Sequence, residues 1–148
     1  MLTSIKATSA HVEELVLRPQ DHLEATLWLP GIDPITLLKG AVQGATDAIA
    51  VLEDGVTVGL LGYTVTKTAC HPWMMCSSRV DSYGKVVIRS GRQFIGSLLS
   101  SYPDKLLCNY VDSHNTSALL LIKALGFVTV PAPGNGRFHF FFHPSSSP

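Results

Sequence analysis

The sequence predicts a mixed α/β domain, in which helices pack against the strands of a twisted sheet. Three stretches carry this prediction. Residues 108–127 have the pattern of a buried strand, a polar turn and an apolar helix that ends on Gly126. Residues 48–65 form two β-rich runs around residues 53–55, where Asp-Gly marks a tight hairpin turn. Residues 86–102 have the apolar spacing of a long helix.

The helix within residues 108–127 is the most apolar in the chain. Asp112 and Ser113 are both suitable N-caps. The inward face of the helix repeats at i, i+3, i+4 and i+7, on Ala118, Leu121, Ile122 and Leu125. Because Lys123 is its only charge, we expect the rest of the domain to cover this helix on most sides. Gly126 suits the left-handed position after the helix, with Phe127 folding back as in a Schellman stop.

The segment before the hairpin predicts a strand near Ile5 and three helical segments. Thr8 or Ser9 caps the first helix, and residues 18–28 form the second. The third helix extends from Pro34 to about Val42, with an Asp-Pro pair at its start.

The segment after the hairpin predicts four further strands, one of which covers residues 106–111. Another covers residues 73–76, after a break at Cys70-His71-Pro72, and a polar loop follows over residues 77–85. The last two strands, 127–130 and 137–142, pair across a Pro/Gly-rich turn. Alternation predicts one aromatic core face and one outward face on the closing strand, with Phe138, Phe140 and Phe142 inward and His139 and His143 outward.

Length and composition favour a single globular domain. The chain has 148 residues and a mean hydropathy of +0.26, and its longest apolar runs are far below the roughly 18 residues of a membrane span. We expect one domain over residues 1–143 and a disordered tail over residues 144–148. No basic segment leads into an apolar stretch at the N-terminus, so we expect no secretory signal and a location in the cytoplasm or inside a particle assembled there.

Charge and cysteine content exclude several classes of function. Eleven basic residues balance eleven acidic ones, so we infer no specific nucleic-acid binding. The balance is uneven, because residues 1–60 hold eight acids and three bases, and residues 61–148 hold three acids and eight bases. Three cysteines without a Cys-x-x-Cys spacing predict reduced core residues, with no disulfide framework and no metal site.

The capped helix and its glycine stop resemble a known superfamily. Asn115, Ala118, Gly126 and Phe127 are similar to the last conserved block of the GCN5-related N-acetyltransferases (GNAT). The wider stretch, from about Cys70 to His143, resembles small bacteriophage GNAT-like proteins that include internal virion proteins of T7-like phages. The resemblance implies a GNAT-like α/β fold, with a mixed, mostly antiparallel sheet of about six strands and helices on both faces.

The resemblance also implies an acetyl-CoA site, which the sequence alters. The superfamily holds the CoA pyrophosphate on glycine amides at the start of its long helix. Here Val86 and Ile88 stand where glycines are expected, and a later register on residues 91–96 places Phe94 there instead. Lys85, Arg89 and Arg92 follow at i, i+4 and i+7. The positions that would meet CoA are Arg79, Gly84, Lys85, Arg89, Arg92 and Asn115. A solvated helix face, balanced by the acidic front half, is the alternative.

The catalytic groups that the resemblance implies are also incomplete. The tyrosine expected seven residues after Asn115, which protonates the departing thiolate, is Ile122 here. His71 and Asp81 are the candidate bases, because both lie near the strand that the superfamily places beside pantetheine. Asn115 either contacts pantetheine or serves as a helix cap. With this set of residues we expect acetyl-CoA to bind weakly or not at all.

Three hypotheses of function follow from these residues. The first is a non-enzymatic virion or ejection-associated protein, located in the virion or the host cytoplasm, with other phage virion proteins or a host protein as partners. The second is an active acyl-CoA-dependent N-acetyltransferase that modifies a host protein or a small amine, with acetyl-CoA as its cofactor. The third is a protein that binds and inhibits a bacterial target.

Overall fold

The computed structural model describes residues 1–134 and 136–147 of the chain. The strands in this part are β1 (Leu2–Lys6), β2 (Asp47–Glu53), β3 (Val56–Val65), β4 (Ala69–Cys76), β5 (Leu106–Asp112), β6 (Val128–Pro131) and β7 (Phe138–Phe142). The α-helices are α1 (Ser9–Glu14), α2 (Pro19–Trp28), α3 (Pro34–Gly44), α4 (Gly84–Ser101) and α5 (Thr116–Ala124). A 3₁₀ helix covers Ser78–Tyr83, within the predicted polar loop.

These strands form one sheet in the order β1-β2-β3-β4-β5-β7-β6. The pairs β1–β2, β2–β3, β5–β7 and β6–β7 are antiparallel, and β4–β5 is parallel. The predicted class, a mixed and mostly antiparallel α/β fold, is confirmed. The chain divides into two compact units, unit 1 with residues 1–64 and 73–82, and unit 2 with residues 65–72 and 83–148.

Unit 1 has its core between the first strands and helices α1 and α3. Its buried residues are Ala7, Val12, Leu15, Leu38, Ala48, Ala50 and Leu60. Trp73 packs against this cluster from β4 and lies over Gly62, where an added Cβ would be 2.7 Å from the Trp73 ring atom Cζ2. The predicted hairpin is confirmed, since Asp54 and Gly55 have φ angles of 49° and 84°, as the turn chemistry requires.

Unit 2 contains the predicted Schellman stop. The Gly126 amide donates to the Lys123 carbonyl at 3.0 Å, and the Phe127 amide donates to the Ile122 carbonyl at 3.1 Å. Gly126 has a φ of 94°. These two bonds satisfy carbonyl groups that the helix end would otherwise leave open. Both features were predicted from the sequence and are confirmed.

Asn115 caps α5, which is one of the two roles predicted for it, and the other predicted caps, Asp112 and Ser113, do not. Asn115 is the N-cap residue, and its Oδ1 accepts a hydrogen bond from the Ala118 amide at 3.2 Å. Asp112 is the last residue of β5, and its carboxylate binds the Arg137 guanidinium through two bonds of 2.7 and 2.6 Å. The Asp112 side chain, which the local sequence predicts as a helix cap, is therefore engaged in an ion pair with Arg137.

Strand β4 is longer than predicted. It begins at Ala69, so Cys70-His71-Pro72 is part of the strand and is not a break. Pro72 is buried, and its carbonyl accepts a hydrogen bond from Asn109 Nδ2 at 2.9 Å. Proline has no backbone N–H to donate to a neighbouring strand. It is tolerated at position 72 because the described backbone pairing with β5 ends at Cys70.

The predicted coverage of α5 is wrong, because none of its residues is fully buried. Leu120 is 71% exposed.

The closing strand also differs in part from the prediction. Phe138 is buried, but Phe140 and Phe142 are half-buried and stack on each other with ring centroids 6.0 Å apart. Phe141, on the opposite face, is buried.

The end of the chain contacts β5. The Ser146 hydroxyl accepts a hydrogen bond from the Leu107 amide at 2.9 Å and donates to the His143 carbonyl at 2.7 Å. The single domain over residues 1–143 and the disorder of residues 144–148 stay predictions. These contacts give a reason to expect Ser146 to be held in place.

Candidate functional site

The start of helix α4 is the strongest candidate for an anion site. The helix has 18 residues and begins at Gly84. A 3₁₀ helix ends at Tyr83, directly before α4, and the Tyr83 side chain caps no amide of the first turn. Amides at the start of an α-helix are hydrogen-bond donors at the positive end of the helix dipole. A Cβ added at Gly84 would meet no atom of the described residues within 4 Å, apart from its chain neighbours and its own helix, so there is space beside this glycine. The arrangement suits a phosphate group.

Two of the predicted cationic residues lie beside these amides. Lys85 and Arg89 are exposed, one turn apart on α4, and neither forms an ion pair with a described residue. Arg92 is also on α4, but its Nε donates to the carbonyl of Ala124 at the end of α5, at 3.2 Å. Of these three residues, Lys85 and Arg89 are therefore the pair most available to an anion.

Arg79 is engaged elsewhere. It lies in unit 1, and its Nε donates to Glu53 Oε1 at 2.6 Å. The Arg79 side chain is 68% exposed, whereas that of Glu53 is 12% exposed. Arg79 is therefore the counter-ion of a mostly buried carboxylate, which limits what it offers to a ligand.

Val86 and Ile88 occupy the positions where the resemblance implies glycines. Val86 is 36% exposed and Ile88 is half-buried. The prediction that they obstruct these amides conflicts with binding of acyl-CoA at the start of α4, so a titration with acetyl-CoA decides between the two. Val86 is the closer of the two to the start of α4, because it follows Lys85 directly in the first turn.

Strands β4 and β5 pair over a short length within unit 2. The register covers Ala69↔Leu106 and Cys70↔Leu107. Beyond these two pairs, the side chain of Asn109 forms hydrogen bonds with the backbone. Asn109 Nδ2 donates to the Pro72 carbonyl, and the Tyr110 amide donates to Asn109 Oδ1 at 2.8 Å. Sequence reasoning missed Asn109, although an amide within the apolar run Leu106–Val111 was the available signal.

His71 is fixed at the same point of β4. Its Nδ1 lies 2.9 Å from the Cys108 carbonyl oxygen. Because a carbonyl oxygen can only accept, this contact assigns the neutral ring's proton to Nδ1 and leaves the Nε2 lone pair free to accept a proton. Burial raises the pKa of the Cys108 thiol, and burial together with the Cys108 charge raises the pKa of Cys70 to about 11. Neither thiol is an activated nucleophile.

Asp81, the other candidate base, belongs to an ion-pair network in unit 1. Arg18 Nη1 donates to Asp81 Oδ1 at 3.0 Å, and Arg18 Nη2 donates to Asp21 Oδ2 at 3.1 Å. Asp21 is 2% exposed and also accepts the Cys76 amide at 2.9 Å. Burial, followed by the charge of Asp21, raises the pKa of the Cys76 thiol to about 12. Sequence analysis did not single out Arg18 or Asp21, although opposite charges at i and i+3 at the start of a helix were the available signal.

Asn115 and Ile122 complete the predicted positions. Asn115 is 1% exposed, and its side-chain Oδ1 caps α5. This favours the capping role over direct contact with a ligand. Ile122 is half-buried and has no proton to donate. Among the predicted site residues of unit 2, the candidates that remain are therefore Lys85 and Arg89 at the start of α4 and His71, whose Nδ1 is held by a carbonyl of β5.

No three His, Cys, Asp or Glu side chains of the described residues are grouped so that they would hold a metal ion. Within residues 1–134 and 136–147, every helix is too short or too polar to cross a membrane.

Comparisons with known proteins give a clear result for the fold. The chain matches no protein-family model and no curated protein sequence. It is similar to the solved structure of AAC(6')-Ib in complex with ribostamycin and coenzyme A, with a TM-score of 0.65 and 12% identity, over 96% of this chain and 92% of that one. Ard1 from Thermoplasma volcanium has a TM-score of 0.62 and 14% identity, over 95% of both chains.

A third similar structure is the Campylobacter jejuni N-acetyltransferase PseH in complex with acetyl coenzyme A. It has a TM-score of 0.55 and 16% identity, over 96% of this chain and 97% of that one. Identities this low are evidence of the fold alone. The predicted resemblance to bacteriophage proteins gains no support from these comparisons. The protein has the GNAT N-acetyltransferase fold.

Proposed function

We propose that the protein is an acyl-CoA-dependent acyltransferase that modifies an amine. The observation that carries this proposal is the uncapped start of α4 at Gly84, with Lys85 and Arg89 exposed beside it. Helix amides and two cations are the groups that bind a pyrophosphate. The fold supports the proposal, since two solved structures that share it are described as complexes with coenzyme A or acetyl coenzyme A.

The proposed chemistry uses His71 as the base. Acyl-CoA supplies a thioester, whose acyl carbon forms a bond to the amine nitrogen while its bond to sulfur breaks. His71 Nε2 accepts the proton that the amine loses, because Nδ1 is held by the Cys108 carbonyl. The position of Ile122 offers no proton to the departing thiolate, so solvent protonates it. We expect a slow enzyme, in which positioning provides most of the rate enhancement.

Binding is tested by the melting midpoint with and without acetyl-CoA in physiological salt. A ligand at 100 times its Kd stabilises a protein by about 2.7 kcal/mol, or several degrees for a domain of this size. We expect this shift in the parent and its loss in Lys85→Glu/Arg89→Glu. Lys67→Glu is the matched control, because Lys67 is an exposed lysine of the same unit in the turn before β4. No shift in the parent would contradict the proposal.

Catalysis is tested with His71→Asn. An asparagine amide can keep a donor near the Cys108 carbonyl but cannot accept the proton of the amine. We expect this variant to retain the acetyl-CoA shift and to release free CoA from a generic amine at least about 100-fold more slowly than the parent. Equal rates in parent and variant would exclude His71 as the base.

A second candidate is a GNAT-fold protein without enzymatic activity, as a component of a phage virion. The residues that favour it are Val86, Ile88 and Ile122, which replace the glycines and the tyrosine implied by the superfamily resemblance. Failure to bind acetyl-CoA, together with stoichiometric presence in purified virions by mass spectrometry, would support this candidate over the enzyme.

A further inference from the structure

Helix α5 and strand β6 border an open apolar groove. Four residues at i, i+3, i+4 and i+7 line its helix side, namely Thr116, Leu119, Leu120 and Lys123. Phe127 and Thr129 line the other side, and the groove has a volume of about 680 Å³. Leu120 is 71% exposed. A leucine this exposed in the most apolar helix of the chain indicates a surface for a partner.

Strand β6 is at the edge of the sheet, beside this groove. It ends the strand order, and all four of its residues, Val128–Pro131, are exposed. The outer backbone groups of an edge strand are available to pair with another strand. Natural edge strands are often protected by charged side chains, but the sequence Val-Thr-Val-Pro carries none, and Pro131 limits pairing at one end only.

Apolar side chains continue on the opposite face of the same edge. Val128 is 42% exposed and Val130 is 37% exposed. Phe140 and Phe142, their partners across β7, are half-buried on that face. A strand added beside β6 would therefore meet apolar groups on both faces. Since strand side chains alternate between faces, both sets of its side chains would find apolar contacts.

The charge at the groove identifies the kind of partner. Lys123 is the only charged residue that lines it and forms no ion pair with any described residue. A second copy of this chain fits poorly. Two-fold pairing of β6 with itself would place both Lys123 side chains on one face of the joined sheet. The described acids of unit 2 are Asp104, which follows α4, and Asp112, which is buried with Arg137.

We propose that β6 and the α5 groove bind an extended peptide segment of a partner protein by adding a strand to the sheet. The segment carries apolar residues at alternate positions and an acidic residue that pairs with Lys123. Backbone bonds to β6 supply affinity, and the groove and Lys123 supply specificity. This surface contains none of the residues assigned to acyl-CoA, so it is independent of the proposed enzymatic function.

The test is selection from a displayed random-peptide library against the immobilised full chain. We expect the parent to enrich peptides with alternating apolar residues and an Asp or Glu. These peptides should bind Lys123→Glu at least about tenfold more weakly, which corresponds to about 1.4 kcal/mol. Lys67→Glu makes the same charge reversal elsewhere on unit 2 and should bind them as the parent does. Unchanged melting midpoints show that the variants remain folded.

A second variant and a mapping measurement make the test specific. Leu120→Asp changes an exposed side chain of the groove, and it should reduce binding by a similar factor while the fold is retained. Hydrogen exchange of the parent with a selected peptide should show new protection at the amides of residues 128–130. The proposal is overturned by no enrichment, by enriched peptides that bind Lys123→Glu as tightly as the parent, by protection only elsewhere, or by a dimer that Leu120→Asp dissociates.

Discussion

Gly126 shows how a single residue fixes both the end of a helix and the start of a strand. Its φ of 94° lies in the left-handed region, where a side chain is strained. An added Cβ would also lie 3.1 Å from His143 Nε2. The His143 ring packs edge-on against Phe127 with centroids 5.3 Å apart, so it has limited freedom to move away.

We therefore predict that Gly126→Ala lowers the free energy of unfolding by more than about 1 kcal/mol. The measurement is chemical denaturation of the parent and the variant. Gly96→Ala is the matched control, because Gly96 is an exposed helical residue with no atom within 4 Å of an added Cβ. That change should be neutral or stabilising by up to about 1 kcal/mol. Equal stability of Gly126→Ala and the parent would show that the helix end tolerates a side chain.

The Asp112–Arg137 pair has a different physical role at the residue scale. Asp112 is 1% exposed, and Arg137 contacts both of its carboxylate oxygens. Burial raises the pKa of Asp112, but hydrogen bonds from Arg137 and the His114 amide outweigh it, so the net pKa is lowered. A lowered folded pKa gives stability that is present above the unfolded pKa and is lost as the pH falls through the folded pKa.

Arg137→Ala should accordingly destabilise the protein by about 2–3 kcal/mol at neutral pH, because it leaves a buried carboxylate without its cation. The difference from the parent should shrink below about pH 4, where Asp112 becomes protonated in the variant and in the unfolded chain. Unfolding curves across this pH range measure both effects. Arg89→Ala removes an exposed side chain that forms no ion pair with the described residues, and it should stay within about 0.5 kcal/mol of the parent. A loss of stability in Arg137→Ala that does not change with pH would contradict this explanation.

At the scale of elements, sequence reasoning succeeded where the determining contacts are local. The Asp-Gly hairpin, the Asp-Pro start of α3 and the Gly-Phe stop of α5 all depend on residues within one turn of each other. It failed where a distant residue decides the outcome. Asp112 is a suitable N-cap by local preference, but its carboxylate binds Arg137, 25 residues along the chain, and Asn115 caps the helix.

The candidate site follows the same division. The basic positions of α4 were visible in the sequence as a helix-spaced row. The contact of Arg18 with Asp81, 63 residues away, joins the start of α2 to the 3₁₀ helix and has no local pattern. The fixed tautomer of His71 depends on a backbone carbonyl of β5. A contact between a side chain and the backbone of another strand does not change the spacing of residue types in the sequence, so only the structure reveals it.

Packing of β3 under Trp73 gives a prediction at this scale. An added Cβ at Gly62 would lie 2.7 Å from Trp73 Cζ2 and 2.9 Å from the Asp47 carbonyl oxygen. Because one of these atoms is backbone, Gly62→Ala should cost about 1–3 kcal/mol. On the same strand, the nearest atom to an added Cβ at Gly59 is 3.6 Å away. Gly59→Ala should cost less, and equal losses in thermal unfolding would contradict the packing argument.

At the scale of the whole molecule, charge is divided between the two units. Unit 1 contains nine acidic and four basic residues, and unit 2 contains two acidic and seven basic residues. The proposed acyl-CoA site and the peptide groove both lie in unit 2, and both proposed ligands are anionic. A cationic unit attracts such ligands at long range, and salt screens that attraction. Contacts with helix amides are short-ranged and should persist in physiological salt.

The central claim, that the start of α4 holds the anionic end of acyl-CoA, is tested most directly by titrating isotope-labelled protein with acetyl-CoA in physiological salt and following the backbone amide resonances. We predict that the largest changes occur at the amides of Gly84, Lys85 and Val86, and that Lys85→Glu/Arg89→Glu abolishes them. Resonances of these amides that stay unchanged at millimolar acetyl-CoA, or changes confined to other parts of the chain, would contradict the claim.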